Sequence, residues 1–338
     1  MKVRMADVAR YLGVSKATVS LAVNNKPGVN EETREKILRC VEEIERNGGF
    51  MPAEMKQDIK QQIKVVFINH KKQIICDPEM DLWSGVIETF DSEIRKRGYL
   101  YGLSYLNEDE KEAEEIIKEC NMPIIAGVII FGTEMTESDR LILEQIKKPL
   151  VIYDYEFTDR QYCSVCIDNV GTVRRAMECL RRSGTQDILY IGTAKEIYNF
   201  KKRREGFLSV MEQWTGQTHK EKILTMGNSI SEIQENMFRW IEKNKLPEAF
   251  LFENYQVAIG VLLAFRKKKI SVPDQVRVIG IDEVPEYMLS GKCLTYMKIP
   301  HRERATLCVS ALENLINVYG DIRGTLFLDS ELIQNGSL

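Results

Sequence analysis

The chain has 338 residues, 44% hydrophobic and 29% charged, with a formal net charge of -3. That length exceeds one compact core and implies two or three domains, and that charge excludes a bulk electrostatic binder of polyanions. The eight cysteines are scattered, the three histidines stand singly, and the one C-x-x-C, Cys163 to Cys166, lacks a second pair. No metal site and no cofactor is therefore expected, and the thiols should be buried or half-buried strand residues. No run approaches the ~20 apolar residues of a membrane span and no apolar signal core is present, which predicts a cytoplasmic protein with no membrane partner.

The overall charge hides a local excess. Residues 1–30 hold five basic side chains (Lys2, Arg4, Arg10, Lys16, Lys26) against Asp7, a net +4. Met5, Val8 and Leu12 recur at helical spacing until Gly13 breaks the pattern. Val14 turns inward and Ser15 is an N-cap. A second helix then runs from Lys16 to about Asn24, with Val19, Ala22 and Val23 inward and Lys16, Ala17, Ser20 and Leu21 outward. A third follows from Asn30 with an apolar stripe of Ile37, Val41 and Ile44. Three short helices with a tight glycine turn between the first two predict a helix-turn-helix. The second helix of that motif enters the DNA major groove by its N-terminal residues, and small side chains permit the close approach. Hydroxyls of Ser15, Thr18 and Ser20 reach phosphates, Lys16 donates to guanine O6 or N7, and Ala17 or Leu21 touches a thymine methyl. A three-helix protein-interaction module satisfies the same pattern.

The string DVARYLGVSKATVSLAVNNKPGVNEETREKIL resembles the headpiece of the lactose-repressor/galactose-repressor (LacI/GalR) family. Asp7, Val8, Ala9, Gly13, Val14, Ser15, Thr18, Val19, Ser20, Asn24, Val29, Thr33 and Arg34 match its pattern. The resemblance implies that Lys16, Ala17 and Leu21 occupy the main base-reading positions. Many relatives carry arginine at the third, so Leu21 predicts a different or weaker base preference. The family continues into a hinge helix, P-N-x-x-A-x-x-L, which wedges a leucine into the minor groove. Here Pro52 is kept and Ile59 falls at the wedge position, but Ala53 replaces the asparagine, and Glu54 and Asp58 bring negative charge toward phosphates. The expectation is a working but weakened hinge, with a hinge that no longer kinks DNA as the alternative. The headpiece should span residues 1–49 and the hinge or linker 50–62.

Beyond residue 63, β-like runs (IKVVFIN, YLYGLSY, GVIIF, LVIYDY, SVCIDN, DILYIGT, KILTM, AFLFEN and VRVIGID) alternate with helical segments. Such alternation means parallel sheets covered by helices, and the strand count calls for two α/β lobes with a break near Asp168–Gly171. The expected division is 63–167 plus 297–320 for the first lobe and 170–293 plus 323–332 for the second. Ligands of such sheets bind beyond the carboxyl ends of the strands, here between the lobes. Ile167-Asp168-Asn169-x-Gly171, Arg203-x-x-Gly206-Phe207, Glu253-Asn254 and VPDQVRVIGIDE extend the family resemblance to its two-lobed, periplasmic-binding-protein-like effector domain. By that resemblance Arg203, Asn254 and Asp282 hold an effector, with Asp168 in the same set. A forked donor, an amide and a carboxylate suit the hydroxyls of a polyol. Trp83 is a candidate stacking platform, and Tyr255, where relatives carry aspartate, lowers the expected polarity. The bland readings stay open: Arg203 paired with Glu205 on a solvated helix, Asp282 capping a turn, Trp83 in the core.

The chain thus reads as an all-α helix-turn-helix headpiece followed by a two-lobed α/β effector domain with parallel sheets. The implied function is a ligand-responsive transcriptional regulator, a repressor first of all. Its implied partners are a double-stranded, palindromic DNA operator, a second copy of itself (with a tetramer left open) and a small hydroxylated effector, foremost a sugar. A purine effector or a phosphorylated corepressor protein is the alternative within the family. A solute-binding protein would have no use for the headpiece. An enzyme is disfavoured, because neither G-x-G-x-x-G nor G-x-x-x-x-G-K-[ST] occurs and no nucleophile–histidine spacing stands out.

Overall fold

The computed structural model describes residues 5–46, 60–70, 83–107, 110–285, 294–317 and 323–338. The hinge expectation, with Pro52, Ala53, Glu54, Asp58 and Ile59, lies outside these residues.

The headpiece consists of α1 (Met5–Leu12), α2 (Lys16–Val23) and α3 (Glu31–Arg46). The starts of α2 and α3 each have a side-chain cap. Ser15 Oγ accepts the Thr18 N–H at 3.0 Å, and Asn30 Oδ1 accepts the Thr33 N–H at 2.8 Å. Glu31 and Glu32 place negative charge on the first turn of α3. Val8, Ala9, Val19, Ala22, Ile37, Cys40 and Ile44 form one buried cluster. Two details differ from the sequence reading. Val23, expected inside, ends its helix 36% exposed, because the chain reverses just beyond it through Asn25 at φ 53°. Cys40 fills the middle of the α3 stripe, with Val41 packing against the cluster only as a partly buried neighbour. So small a core has little reserve. Ile37→Ala should cost about 2–5 kcal/mol. It should therefore abolish DNA retention while the thermal transition of the lobes stays in place, which calorimetry and a filter-binding assay check together.

The first lobe is built on β1 (Gln62–Ile68), β2 (Leu100–Leu106), β3 (Ile125–Phe131), β4 (Leu150–Tyr153) and β5 (Cys163–Ile167). Three helices accompany them: α4 (Ser84–Lys96), α5 (Glu110–Cys120) and the short α6 (Arg140–Leu143). The second lobe holds β6 (Ile188–Gly192), β7 (Ile223–Thr225), β8 (Ala249–Phe252), β9 (Arg277–Ile281) and β10 (Thr295–Lys298). Its helices are α7 (Asn169–Arg182), α8 (Tyr198–Thr215), α9 (Ile230–Lys243) and α10 (Tyr255–Lys268). The chain then returns through α11 (His301–Asn317), β11 (Gly324–Leu328) and β12 (Glu331–Ile333). The two sheets run β11-β5-β4-β3-β1-β2 and β12-β10-β9-β8-β6-β7, parallel throughout except for β12 against β10. Central strands such as β3 and β5 are buried along their whole length, as parallel strands covered on both faces must be.

The division at the C-terminus needs correction. Residues 324–328, expected in the second lobe, pair with β5 of the first sheet, Leu326 opposite Val165. The chain therefore crosses between lobes after β5, after β10 and again between β11 and β12. Nothing in the apolar pattern of a short strand says which sheet edge will accept it. The cysteine expectation also shifts. Among the described residues all are free and buried or half-buried, but Cys40, Cys120, Cys179 and Cys308 lie on helices rather than strands. Burial pushes the Cys40 and Cys120 thiols up to about 11.

Candidate functional site: recognition helix and interlobe cavity

The outward face of α2 is small and polar at its start. Lys16 and Ala17 are exposed, as are Ser15 and Asn24, whereas Thr18, Ser20 and Leu21 are half-buried. Ser15 and Thr18 also share a hydroxyl–hydroxyl bond of 2.8 Å, so their side chains are pre-set at the positive end of the helix, where an anion is favoured. Asn24 turns back on its own helix, its Nδ2 donating to the Ser20 carbonyl at 2.7 Å. Arg34 locks the far end: it donates to Asn25 Oδ1 at 3.0 Å and to the Lys26 carbonyl at 2.7 Å. In the sequence Arg34 stood out only as part of a pattern, and this clamp is its role. Lys16→Ala should reduce the slope of log affinity against log salt by about one unit, or change base preference. A salt titration on a fixed duplex tests this, and no change in either would remove Lys16 from the interface.

The interlobe cavity forms where the strands end. Thr133 follows β3, Asp154 follows β4, Lys195 follows β6, Asn254 follows β8 and Asp282 follows β9, all at carboxyl ends. Trp83, Asn199, Phe200, Arg203, Tyr255, Gln256 and His301 complete the polar and aromatic part of the wall. The space is about 480 Å³. Asp154 and Asp282 leave their strands in the left-handed region, at φ 75° and 72°. That conformation is one aspartate tolerates better than most residues, and both carboxylates turn toward the gap.

These groups form a closed hydrogen-bonded ring. Arg203 Nε donates to Asn169 Oδ1 at 3.0 Å, Asn169 Nδ2 to Asn199 Oδ1 at 2.7 Å, and Asn199 Nδ2 to Asp154 Oδ2 at 2.7 Å. Arg304 Nη1 donates to Asp154 Oδ1 at 2.5 Å and Nη2 to His301 Nδ1 at 2.9 Å. His301 Nε2 reaches Asp282 Oδ1 at 3.1 Å, and Arg203 Nη1 closes the ring on Asp282 Oδ2 at 3.4 Å. Arg203 also donates to the Glu253 carbonyl at 2.7 Å. Arg304 is fully buried and its guanidinium lies 4.5 Å from the Tyr153 ring centroid.

Burial alone would raise the Asp282 carboxyl. Arg203 and His301 overcome that and hold it below the ordinary aspartate range. A depressed carboxyl stabilises the fold above its unfolded value of about 3.9. That contribution is lost as pH falls through the lower folded value. Wild type should therefore melt above Asp282→Asn by a constant margin near neutrality, and the margin should vanish only in strong acid. A margin that closes already near pH 6 would contradict the depression of this carboxyl by Arg203 and His301.

Of the sequence-predicted effector residues, the structure gathers Arg203, Asn254, Asp282 and Trp83 on this wall. Arg203 is buried against Asp282, while Glu205 pairs with Lys202 instead. Asn254 additionally caps α10, its Oδ1 accepting the Val257 N–H at 3.0 Å. Trp83 meets both Phe131 of the core, at 5.0 Å, and His301, at 5.7 Å. Asp168 is the exception. Its Oδ1 caps α7 through the Gly171 N–H at 2.8 Å, and Arg175 lies beside its other oxygen at 3.7 Å. A Cβ at Gly171 would sit 1.8 Å from Asp168 Oδ2, so the glycine exists to admit this cap. The neighbouring Asn169, not Asp168, faces the ring. Asn169, Asn199, Asp154, His301 and Arg304 were missed. Asp154 could have been noticed as the charge ending an apolar strand, but HRER at 301–304 reads as an ordinary solvated helix start.

A helix-turn-helix headpiece joined to a two-lobed α/β domain defines a class, the DNA-binding transcriptional regulators. Residues 4–45 match the description "Bacterial regulatory proteins, lacI family", and residues 177–338 match "Periplasmic binding protein-like domain". The headpiece thus carries the LacI-family helix-turn-helix, and the curated relatives that the chain matches over most of its length are LacI-family regulators. It is 26% identical to the HTH-type transcriptional regulator MalR of Clostridium butyricum, over 98% of each chain. In fold it is similar to the transcriptional regulator CelR in complex with cellobiose, at a TM-score of 0.68 and 18% identity, covering 99% of both chains. It is equally similar to the lac repressor dimer bound to operator and the anti-inducer ONPF, at a TM-score of 0.68 and 19% identity, over 100% of this chain and 99% of that one. The family consists of regulators rather than enzymes. No helix among the described residues is long and apolar enough to cross a membrane.

Proposed function

We propose that this regulator is a cytoplasmic repressor that binds a palindromic operator as a homodimer and answers to a small hydroxylated effector, foremost a sugar, in the interlobe cavity. The observation that carries the effector part is the joint placement of Arg203, Asn254 and Asp282 around one cavity, beside an indole. A guanidinium, an amide and a carboxylate supply donors and an acceptor for vicinal hydroxyls, and Trp83 offers a face to the carbon side of a ring. The cellobiose-bound CelR fold supports a sugar over an apolar ligand. The DNA part rests on the small, exposed start of α2, with Lys16, Ala17 and Leu21 toward base edges and Ser15, Thr18, Ser20 and Asn24 toward the backbone or holding the helix end. One helix makes too few contacts for specificity, and two on adjoining half-sites supply it.

Incubating the purified protein with random duplexes and sequencing those retained tests the reading. One enriched palindrome supports a dimeric operator binder, and the enriched duplex then reports, in a gel-shift assay, which mono- or disaccharide releases or tightens the complex. Enrichment of single half-sites with no preferred spacing would refute the dimer. Indifference of the complex to every sugar, together with release by a purine, would move the effector to the other ligand class.

A further inference from the structure

The hydrogen-bonded ring of the cavity crosses between the lobes twice. Asp154, His301 and Arg304 stand on the first lobe, and Asp282, Arg203, Asn169 and Asn199 on the second. The two crossings are Asn199 to Asp154 at 2.7 Å and His301 to Asp282 at 3.1 Å. Beside them Tyr198 of the second lobe donates to Glu156 of the first at 3.1 Å and packs on Tyr155 with ring centroids 5.2 Å apart. Arg203, Asp282 and the Asn254 side-chain carbonyl oxygen, expected to hold an effector, are thus already engaged by protein groups.

We infer that His301 and Asn199 are the two bolts of a latch that holds the lobes closed with nothing bound, so that an effector enters by replacing these crossings rather than by drawing open lobes together. The inference goes beyond the effector proposal, because it concerns the ligand-free protein. Its chemistry is specific at His301. A guanidinium can only donate, so the contact from Arg304 makes Nδ1 the acceptor and leaves the ring proton on Nε2, aimed at Asp282. The imidazole is therefore a positioning residue that accepts from its own lobe and donates to the other. Glutamine can reproduce both halves of that pattern, with its carbonyl toward Arg304 and its amide toward Asp282; alanine can reproduce neither. Each crossing ends on a carboxylate, so losing one should shift the closed-to-open ratio by about tenfold.

The test uses full-length protein carrying Trp214→Phe and Trp240→Phe, which leaves Trp83 on the cavity wall as the one indole. Acrylamide quenching and small-angle X-ray scattering are measured without effector or DNA. The parent should be poorly quenched and compact. His301→Ala should raise both the quenching constant and the radius of gyration, and His301→Gln should return both to the parent values. A parent as open as His301→Ala, or a glutamine variant that behaves like alanine, overturns the latch. Should His301→Ala fail to fold, Asn199→Asp sets a carboxylate against Asp154 and must open the lobes by itself. An unchanged radius of gyration there overturns the inference as well. Neither readout involves a ligand, so failure of the latch leaves the effector proposal standing.

Discussion

Asp154→Ala should lower stability by about 3–5 kcal/mol, the cost typical of removing one partner from a fully buried ion pair. Arg304 is 0% exposed and Asp154 1%. Without the carboxylate, the guanidinium keeps, among the described residues, only His301 and the Tyr153 ring as partners, and Thr133 and Asn199 each lose an acceptor, at 2.8 and 2.7 Å. A stranded buried charge is the expensive outcome, because water cannot reach it and the arginine cannot release its proton. The double variant Asp154→Ala, Arg304→Met should recover a large part of the loss, since it removes the charge and fills the space with apolar atoms. Urea midpoints of wild type, both single variants and the double variant measure this. An Asp154→Ala midpoint indistinguishable from wild type would show that the pair is not buried in solution.

Arg203→Ala should abolish the ligand response while basal DNA binding persists. The side chain joins Asp282, Asn169 and the Glu253 carbonyl, so its loss removes a cavity donor and frees the Asp282 carboxylate from its main counter-charge. Truncating one partner of such a pair costs about 2–5 kcal/mol of binding, enough to push an effector out of its working range. Arg203→Lys should fail too, because a single ammonium cannot serve three acceptors lying in different directions. The headpiece and its core contain no residue of this set, so retention of the enriched duplex should stay near wild type. Loss of DNA retention with an intact ligand response would reverse the assignment.

The elements of this chain were legible because their signals are local. Gly13 and Ser15 end one helix and begin the next at the expected places, and each strand candidate from IKVVFIN to VRVIGID forms. The strands β10, β11 and β12 went unread because none is a continuous buried run: β11 and β12 are half-buried or exposed edge strands, and β10 is buried at only two of its four residues. At the site, the resemblance supplied Arg203, Asn254 and Asp282, while Trp83 was read separately as an aromatic platform. The resemblance also supplied Asp168, which sits one residue short of the ring member Asn169, because a motif names a neighbourhood and helix geometry chooses which side chain of it faces the gap.

What the sequence by itself determined is therefore the list of parts: a helix-turn-helix whose second helix is small and basic at its start, alternating strands and helices for two parallel sheets, and the residues of a polar cavity. Tertiary structure alone decided how those parts meet. It put β11 beside β5, made Asp154 the partner of an arginine 150 positions away, and turned His301 into a link to the opposite lobe. The reason is physical. Periodicity, caps and turns act over a few residues, whereas the pairing of two distant charges depends on how the backbone crosses three times between lobes, and no local pattern encodes that path.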